Sequence, residues 1–201
     1  MNYLDKIRKE RQKNLYSKVD LLKEDYLIKH QNSLKIYYAP FDYVNTKAAV
    51  VILGITPGWT QMEKSFRTVI KAFSEGESDL NALKRVKVES SFAGSMRTNL
   101  INMLDELGLN TKLKLSSCSK LFDMRNELLH STSALRYPVF INGNNYSGSS
   151  PSPLNNPLLW DQINNTLVDE LNNFNNKLII PLGRKIDEIL ERLKDENKLT
   201  S

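Results

Sequence analysis

The sequence predicts an α/β fold, a three-layer α/β/α sandwich with a short parallel sheet, and two observations carry that prediction. Three strand-like stretches, the β-branched run 48–53, the opening of 127–141, and the apolar run 178–183, each end in a glycine-containing or polar turn. Apolar positions at helical spacing follow the turns. Strand, turn and helix repeated in this way imply parallel strands joined by right-handed crossovers. The strand ends near 54–60, 130–137 and 182–184 then share one rim, where open α/β sheets bind their ligands.

The elements follow in order. Residues 3–29 carry Tyr3, Leu4, Ile7, Leu15, Val19, Leu22, Tyr26 and Leu27 among many charges, a pattern that predicts an amphipathic helix broken at most once. Its basic cluster, Lys6, Arg8, Lys9, Arg11 and Lys13, reads as a solvated helix face or a contact to nucleic-acid backbone. Residues 34–39 alternate weakly before Pro40 and predict a short strand or an edge segment. The domain division placed here is 1–33, an N-terminal helical segment packed on the domain, and 34–201, the α/β domain.

The run 48–53 reads as the central strand, buried on both faces and closed by Gly54, Pro57 and Gly58. A side chain at Gly58 is expected either to meet a close ligand or to oppose a positive φ. Met62, Phe66, Val69, Ile70 and Phe73 then predict a helix ending at Glu75-Gly76. Residues 90–97 form a small-residue loop before a helix over Leu100, Ile101, Met103, Leu104 and Leu107. Its start, with Arg97 nearby, is either an anion site or ordinarily capped by Ser95.

Cys118, in a short helix and turn over 116–126, reads as a small core residue. His130, Ser131, Thr132 and Ser133 end the second strand with four hydrogen-bonding side chains, which need either a ligand or a buried polar network to satisfy them. Residues 142–156, rich in Gly, Ser, Asn and Pro and containing Tyr146, form a loop long enough to suggest function. Pro157 opens the next helix, and the third strand and a final helix complete the pattern. With no further strand after Gly183, one sheet edge is expected to lie open, as in a shortened domain or a fragment; the alternative is that residues 34–39 pair at the edge on the other side and a helix covers the open one.

The 201 residues suit one domain. A net charge of +5 is a mild basic excess, compatible with a phosphate-bearing partner. One Cys and two His leave too few soft ligands for zinc and no intrachain disulfide, so a reducing cytoplasm is expected. No apolar run reaches membrane-spanning length, and no membrane partner is expected. No phosphate-loop or dinucleotide fingerprint supports a third class, a nucleotide-using enzyme.

Gly54-Ile55-Thr56-Pro57-Gly58 is similar to the first motif of the uracil-DNA glycosylase superfamily, residues 131–138 resemble the second-strand segment of its bacterial thermophile-type branch, and residues 178–183 resemble its third strand. The resemblance covers about residues 48–195 and rests on order and spacing. It implies a DNA-binding hydrolase that removes uracil or a related base with neither metal nor organic cofactor. Thr56 would hold the attacking water in the catalytic position. Gly54, Ile55, Pro57, Gly58, Trp59, Phe92, Ser131 and Ser133 would line the base pocket, and Arg97, Arg136 and Arg184 would meet nucleic-acid backbone. A threonine hydroxyl is a poor general base, and the family's histidine loop after a fourth strand has no counterpart; residues 151–154, Pro-Ser-Pro-Leu, lie before the third strand and do not take its role. These departures favour the alternative, a non-catalytic module on the same fold that binds nucleic acid or a nucleobase.

Overall fold

The computed structural model describes residues 2–125 and 127–199. The strand β3, Val50–Gly54, is buried along its whole length. Successive side chains of a strand point to opposite faces, so an apolar run of this kind has to be covered twice. On one side Val51 and Leu53 pack on Leu159, Ile163 and Leu167 of α7 (Pro157–Leu171) and on Ile186, Ile189 and Leu193 of α8 (Arg184–Asp195). On the other, Val50 and Ile52 meet Leu100 and Leu104 of α5 (Ser95–Glu106), with Cys118 and Leu121 from the 3-10 turn Cys118–Phe122. The chain is mixed α/β, and this layering is compatible with an α/β/α sandwich.

Two parallel neighbours flank β3: β4 (Leu129–Ser133) and β7 (Leu178–Pro181), in the order β4-β3-β7. Leu53 lies opposite both Thr132 and Pro181. Past the strand ends the backbones stay joined, with Ala134 N donating to Gly54 O (2.8 Å), Leu135 N to Ile55 O (2.9 Å) and Leu182 N to Leu53 O (2.8 Å). All three carboxyl ends therefore meet at Gly54, as the sequence predicts. Among the described residues β7 pairs on one side alone, so the expected open edge is present. Pro181, which has no N–H to offer a neighbour, is at home there.

The N-terminal part differs from its expectation. In place of one helix broken at most once there are α1 (Tyr3–Ile7), α2 (Lys18–Leu21), a 3-10 turn at Glu24–Tyr26 and the strand β1 (Leu27–Gln31). β1 pairs antiparallel with β2 (Leu34–Tyr37) around Asn32, whose φ of 53° makes the tight turn. Cross-strand pairing and burial of Tyr26 override the helical spacing, and Leu15 and Val19, assigned to the packed face, are exposed. β2 is not an edge strand. It sits between β1 and β5 (Val139–Ile141) in a second, antiparallel sheet completed by β6 (Asn144–Asn145). The β1–β2 hairpin spans the division placed at residue 33, and Leu4, Ile7, Tyr16 and Leu21 share a core with α3 (Trp59–Ser74) and α4 (Asp79–Ser90), the latter a helix the sequence pattern leaves unassigned. Of the basic cluster, Lys6 donates to Asp25 O, Lys13 pairs with Asp20 and Arg8 pairs with Asp79. Among the described residues no helix is long and apolar enough to cross a membrane.

The polar end of β4 is resolved largely by a buried network. Asn45 N donates to His130 Nδ1 (3.3 Å), so the ring proton belongs on Nε2, which faces Glu170 Oε1 at 2.5 Å. Arg136 donates to Glu170 Oε2 at 2.7 Å and to Thr166 O at 3.1 Å. Burial lowers His130 from its ordinary 6.5. Burial would raise Glu170, yet the His130 hydrogen bond and the Lys87 and Arg136 charges hold it well below the carboxylate range. Glu170→Ala strands His130 and Arg136 and should cost about 3–5 kcal/mol in urea unfolding. Both folded pKa values lie below their unfolded ones, so the unfolded chain takes up protons first. Stability should therefore fall as pH drops through 6.5 for His130 and through about 4.5 for Glu170. A thermal midpoint that rose on acidification from pH 7 to 5 would contradict this assignment.

Candidate functional site

The three strand ends border a cavity of about 620 Å³. Gly54, Ile55, Thr56 and Gly58 from the turn after β3 form one wall, continued by Thr60 and Gln61 in the first turn of α3. The segment entering α5, from Phe92 to Met96, faces them, and Ser133, Asn145, Tyr146 and Leu182 close the remaining sides. Two helices of 16 and 12 residues thus begin at the cavity, and their N-terminal backbone makes it favourable for negative charge. The loop 142–156 is anchored there, with Asn145 Oδ1 accepting from Trp59 N at 2.8 Å and the Tyr146 hydroxyl donating to Pro151 O.

Thr56 is on the wall, and its hydroxyl donates to Tyr137 O at 3.1 Å. It keeps lone pairs to accept a hydrogen bond. Tyr146 is the titratable group in the wall, and burial pushes its phenol up to about 12. Among the described residues no carboxylate or imidazole lines this cavity. Phe92 supplies the aromatic surface from a backbone with φ of 53°, a conformation that a bulky side chain rarely adopts. Its ring lies so close to Gly54 that a Cβ placed there would stand 3.4 Å from Phe92 Cε1. Backbone strain of this order, about 1–3 kcal/mol, gathers at ligand sites.

The other expected site residues divide. Gly54, Ile55, Gly58, Phe92 and Ser133 are in the wall. Trp59 is half-buried against the N-terminal core instead. Gly58 has φ of −90°, so no left-handed backbone is involved, and a Cβ there would meet Asn145 Nδ2 at 3.2 Å. Arg97 does not reach toward phosphate: its guanidinium donates to the carbonyls of Val88, Glu89 and Ser91 at the end of α4 and stacks on Phe122. Arg136 is likewise occupied by Glu170. Arg184 stays exposed, two residues past Leu182, with a 3.3 Å ion pair to Glu188, and its exposure leaves it available to an anion. Cys118 is buried as expected, and burial with Asp105 pushes its thiol up to about 12.

Pro57 and Ser131 face a second, much smaller recess of about 20 Å³ that shares Gln61, Phe92 and Ser133 with the cavity. Lys87, Ser91, Thr132 and Arg136 make its polar lining. Lys87 is buried and donates to Ser131 O at 2.9 Å, while Ser131 Oγ donates to Ser91 Oγ at 2.7 Å. Burial lowers Lys87 to about 8, with Glu170 working against that shift.

Sequence reasoning missed Lys87, Gln61 and Asn145. Lys87 belongs to a charge-rich helix in which nothing marks one lysine as buried, whereas Asn145 lies in a loop whose length already suggests function. That loop seats Gly148, at φ +89°, directly on Ile55: a Cβ would fall 2.6 Å from Ile55 Cγ1. Gly148→Ala should therefore cost more than the ~1 kcal/mol of left-handed strain and loosen the loop, seen as faster amide exchange at 144–148. Gly58→Ala needs only a shift of Asn145 and should cost less; equal losses for the two variants would contradict the packing described.

No family model matches the chain, and no solved structure matches it. The uncharacterized protein YoxB of Bacillus subtilis (strain 168) is 36% identical over 185 residues, covering 91% of this chain and 72% of that protein. At that identity and coverage, the strands and turns that build the cavity lie in a chain that belongs to the same family as YoxB.

Proposed function

We propose that this chain is a nucleic-acid-binding module with a uracil-DNA glycosylase-like fold, and that the rim cavity receives a nucleobase without hydrolysing its glycosidic bond. The observation that carries the reading is the make-up of the cavity: it lies at the converging strand ends, it joins the aromatic side chains of Phe92 and Tyr146 to neutral hydrogen-bonding groups, and among the described residues no group in its wall is suited to general acid–base work near neutral pH. A volume of about 620 Å³ accommodates a base with its sugar. Phe92 supports stacking, and Thr56, Gln61, Ser133 and Asn145 offer donors and acceptors to a base edge. Two helix N-termini and the exposed Arg184 favour the accompanying phosphates.

Fluorescence anisotropy with labelled single-stranded oligonucleotides, with and without one uracil, tests this at two salt concentrations. Binding should weaken steeply as salt rises. Phe92→Ala should reduce affinity at least about fivefold, the lower end of one base–aromatic stack. Incubation with excess protein followed by abasic-site cleavage should give no shortened strand. Product strands would restore the hydrolase reading, and no binding at low salt would remove both.

A further inference from the structure

The recess behind Phe92 has an unbalanced positive charge. Lys87 is 7% exposed, and among the described residues its ammonium, with three donors, makes one hydrogen bond, to Ser131 O. Its further contact is the Phe41 ring, 6.0 Å away at the centroid. Among the described residues no carboxylate lies within ion-pair distance of it. Glu170 is committed to His130 and Arg136, and Asp42 accepts from the hydroxyls of Tyr38 and Tyr137. An ammonium removed from water without a counter-ion is costly, by several kcal/mol. A second observation points the same way: Thr132, 5% exposed and in the wall of this recess, has a hydroxyl with no partner. Two residues that line one space, Lys87 with donors to spare and Thr132 with a buried hydroxyl without a partner among the described residues, thus meet there, and that space has room for about one water-sized group.

We propose that this recess is an anion site, in which a single oxygen of a carboxylate or phosphate group, or a halide of similar size, is held by the Lys87 ammonium and the Thr132 hydroxyl. The site is separate from the nucleobase reading and does not depend on it. The anion has two sources with one chemistry. It is either a free small ion or the charged substituent of a ring compound whose body lies against Phe92 in the adjoining cavity, since Phe92 borders both spaces. Lys87 is charged at neutral pH and loses its charge as pH rises through about 8, so the affinity for an anion is lost on the alkaline side. The groups facing Lys87 are Glu170 from α7, His130 from β4, Arg136 and Asp42; burial holds His130 below its ordinary value, and Glu170 is held below the carboxylate range.

The test is thermal unfolding of the full chain and of Lys87→Met with sodium formate or sodium benzoate, read as the difference between their midpoint shifts at the same salt. Formate at tenfold saturation should raise the wild-type midpoint by about 3 °C more than it raises that of Lys87→Met at pH 7. The excess should vanish at pH 9.5. Thr132→Val, which keeps shape and removes the hydroxyl, should lose at least half of the shift; it also serves as the comparison should Lys87→Met fail to fold. Excess stabilisation by benzoate that is lost in Phe92→Ala identifies the ring-borne source, and stabilisation by formate without benzoate identifies the free ion. No excess with either anion at pH 7, or an excess that survives in Thr132→Val and at pH 9.5, overturns the site.

Discussion

The constraint on which this structure depends is that β3 is apolar on both faces. A strand of that kind is stable only between two covering layers, and α7 with α8 on one side and α5 on the other supply them. It also has to be paired along both edges, which fixes β4 and β7 beside it in parallel. Parallel pairing places all carboxyl ends together, and at Gly54 the chain has to leave the sheet through polar backbone. The cavity follows from these requirements before any side chain is chosen for chemistry.

What fills the rim is a contest between burial and polarity. The four polar residues that end β4 are distributed over three environments: His130 enters a satisfied network with Glu170 and Asn45, Ser131 pairs with Ser91, and Ser133 reaches the cavity. Thr132 is left over in the wall of the recess that Lys87 also lines, both buried and, among the described residues, both with donors unspent. Native interiors tolerate few such groups. Together with the left-handed backbone at Phe92, they concentrate local cost where the strand ends meet.

Much of this was legible in the sequence, for definite reasons. Runs such as 48–53 and 178–183 are short, β-branched and bounded by glycine, and the helices after Gly58, Gly94, Asn156 and Gly183 keep their spacing from first turn to last. The rim at Gly54, Ser133 and Leu182 followed from that. The N-terminal region was not legible, because Tyr26 and Leu27 fit a helical repeat as well as they fit a hairpin, and only pairing with a distant segment, Val139–Ile141, decides between them. The partners of Arg97 and Arg136 within the chain were not legible for a related reason. Charge in a sequence does not say whether a carboxylate or a helix end will claim it first, as Glu170 claims Arg136 and the end of α4 claims Arg97.

The central claim is that the converging strand ends, not the basic N-terminal cluster, form the binding surface. Amide chemical-shift mapping of the 15N-labelled chain during titration with a single-stranded oligonucleotide containing uracil tests it most directly. The account predicts that the perturbed amides concentrate at Gly54, Thr56, Gly58, Gly94, Asn145 and Gly183, with Phe92 among the largest. Perturbations confined to the segment from Lys6 to Lys13, with the rim amides unmoved, would contradict it.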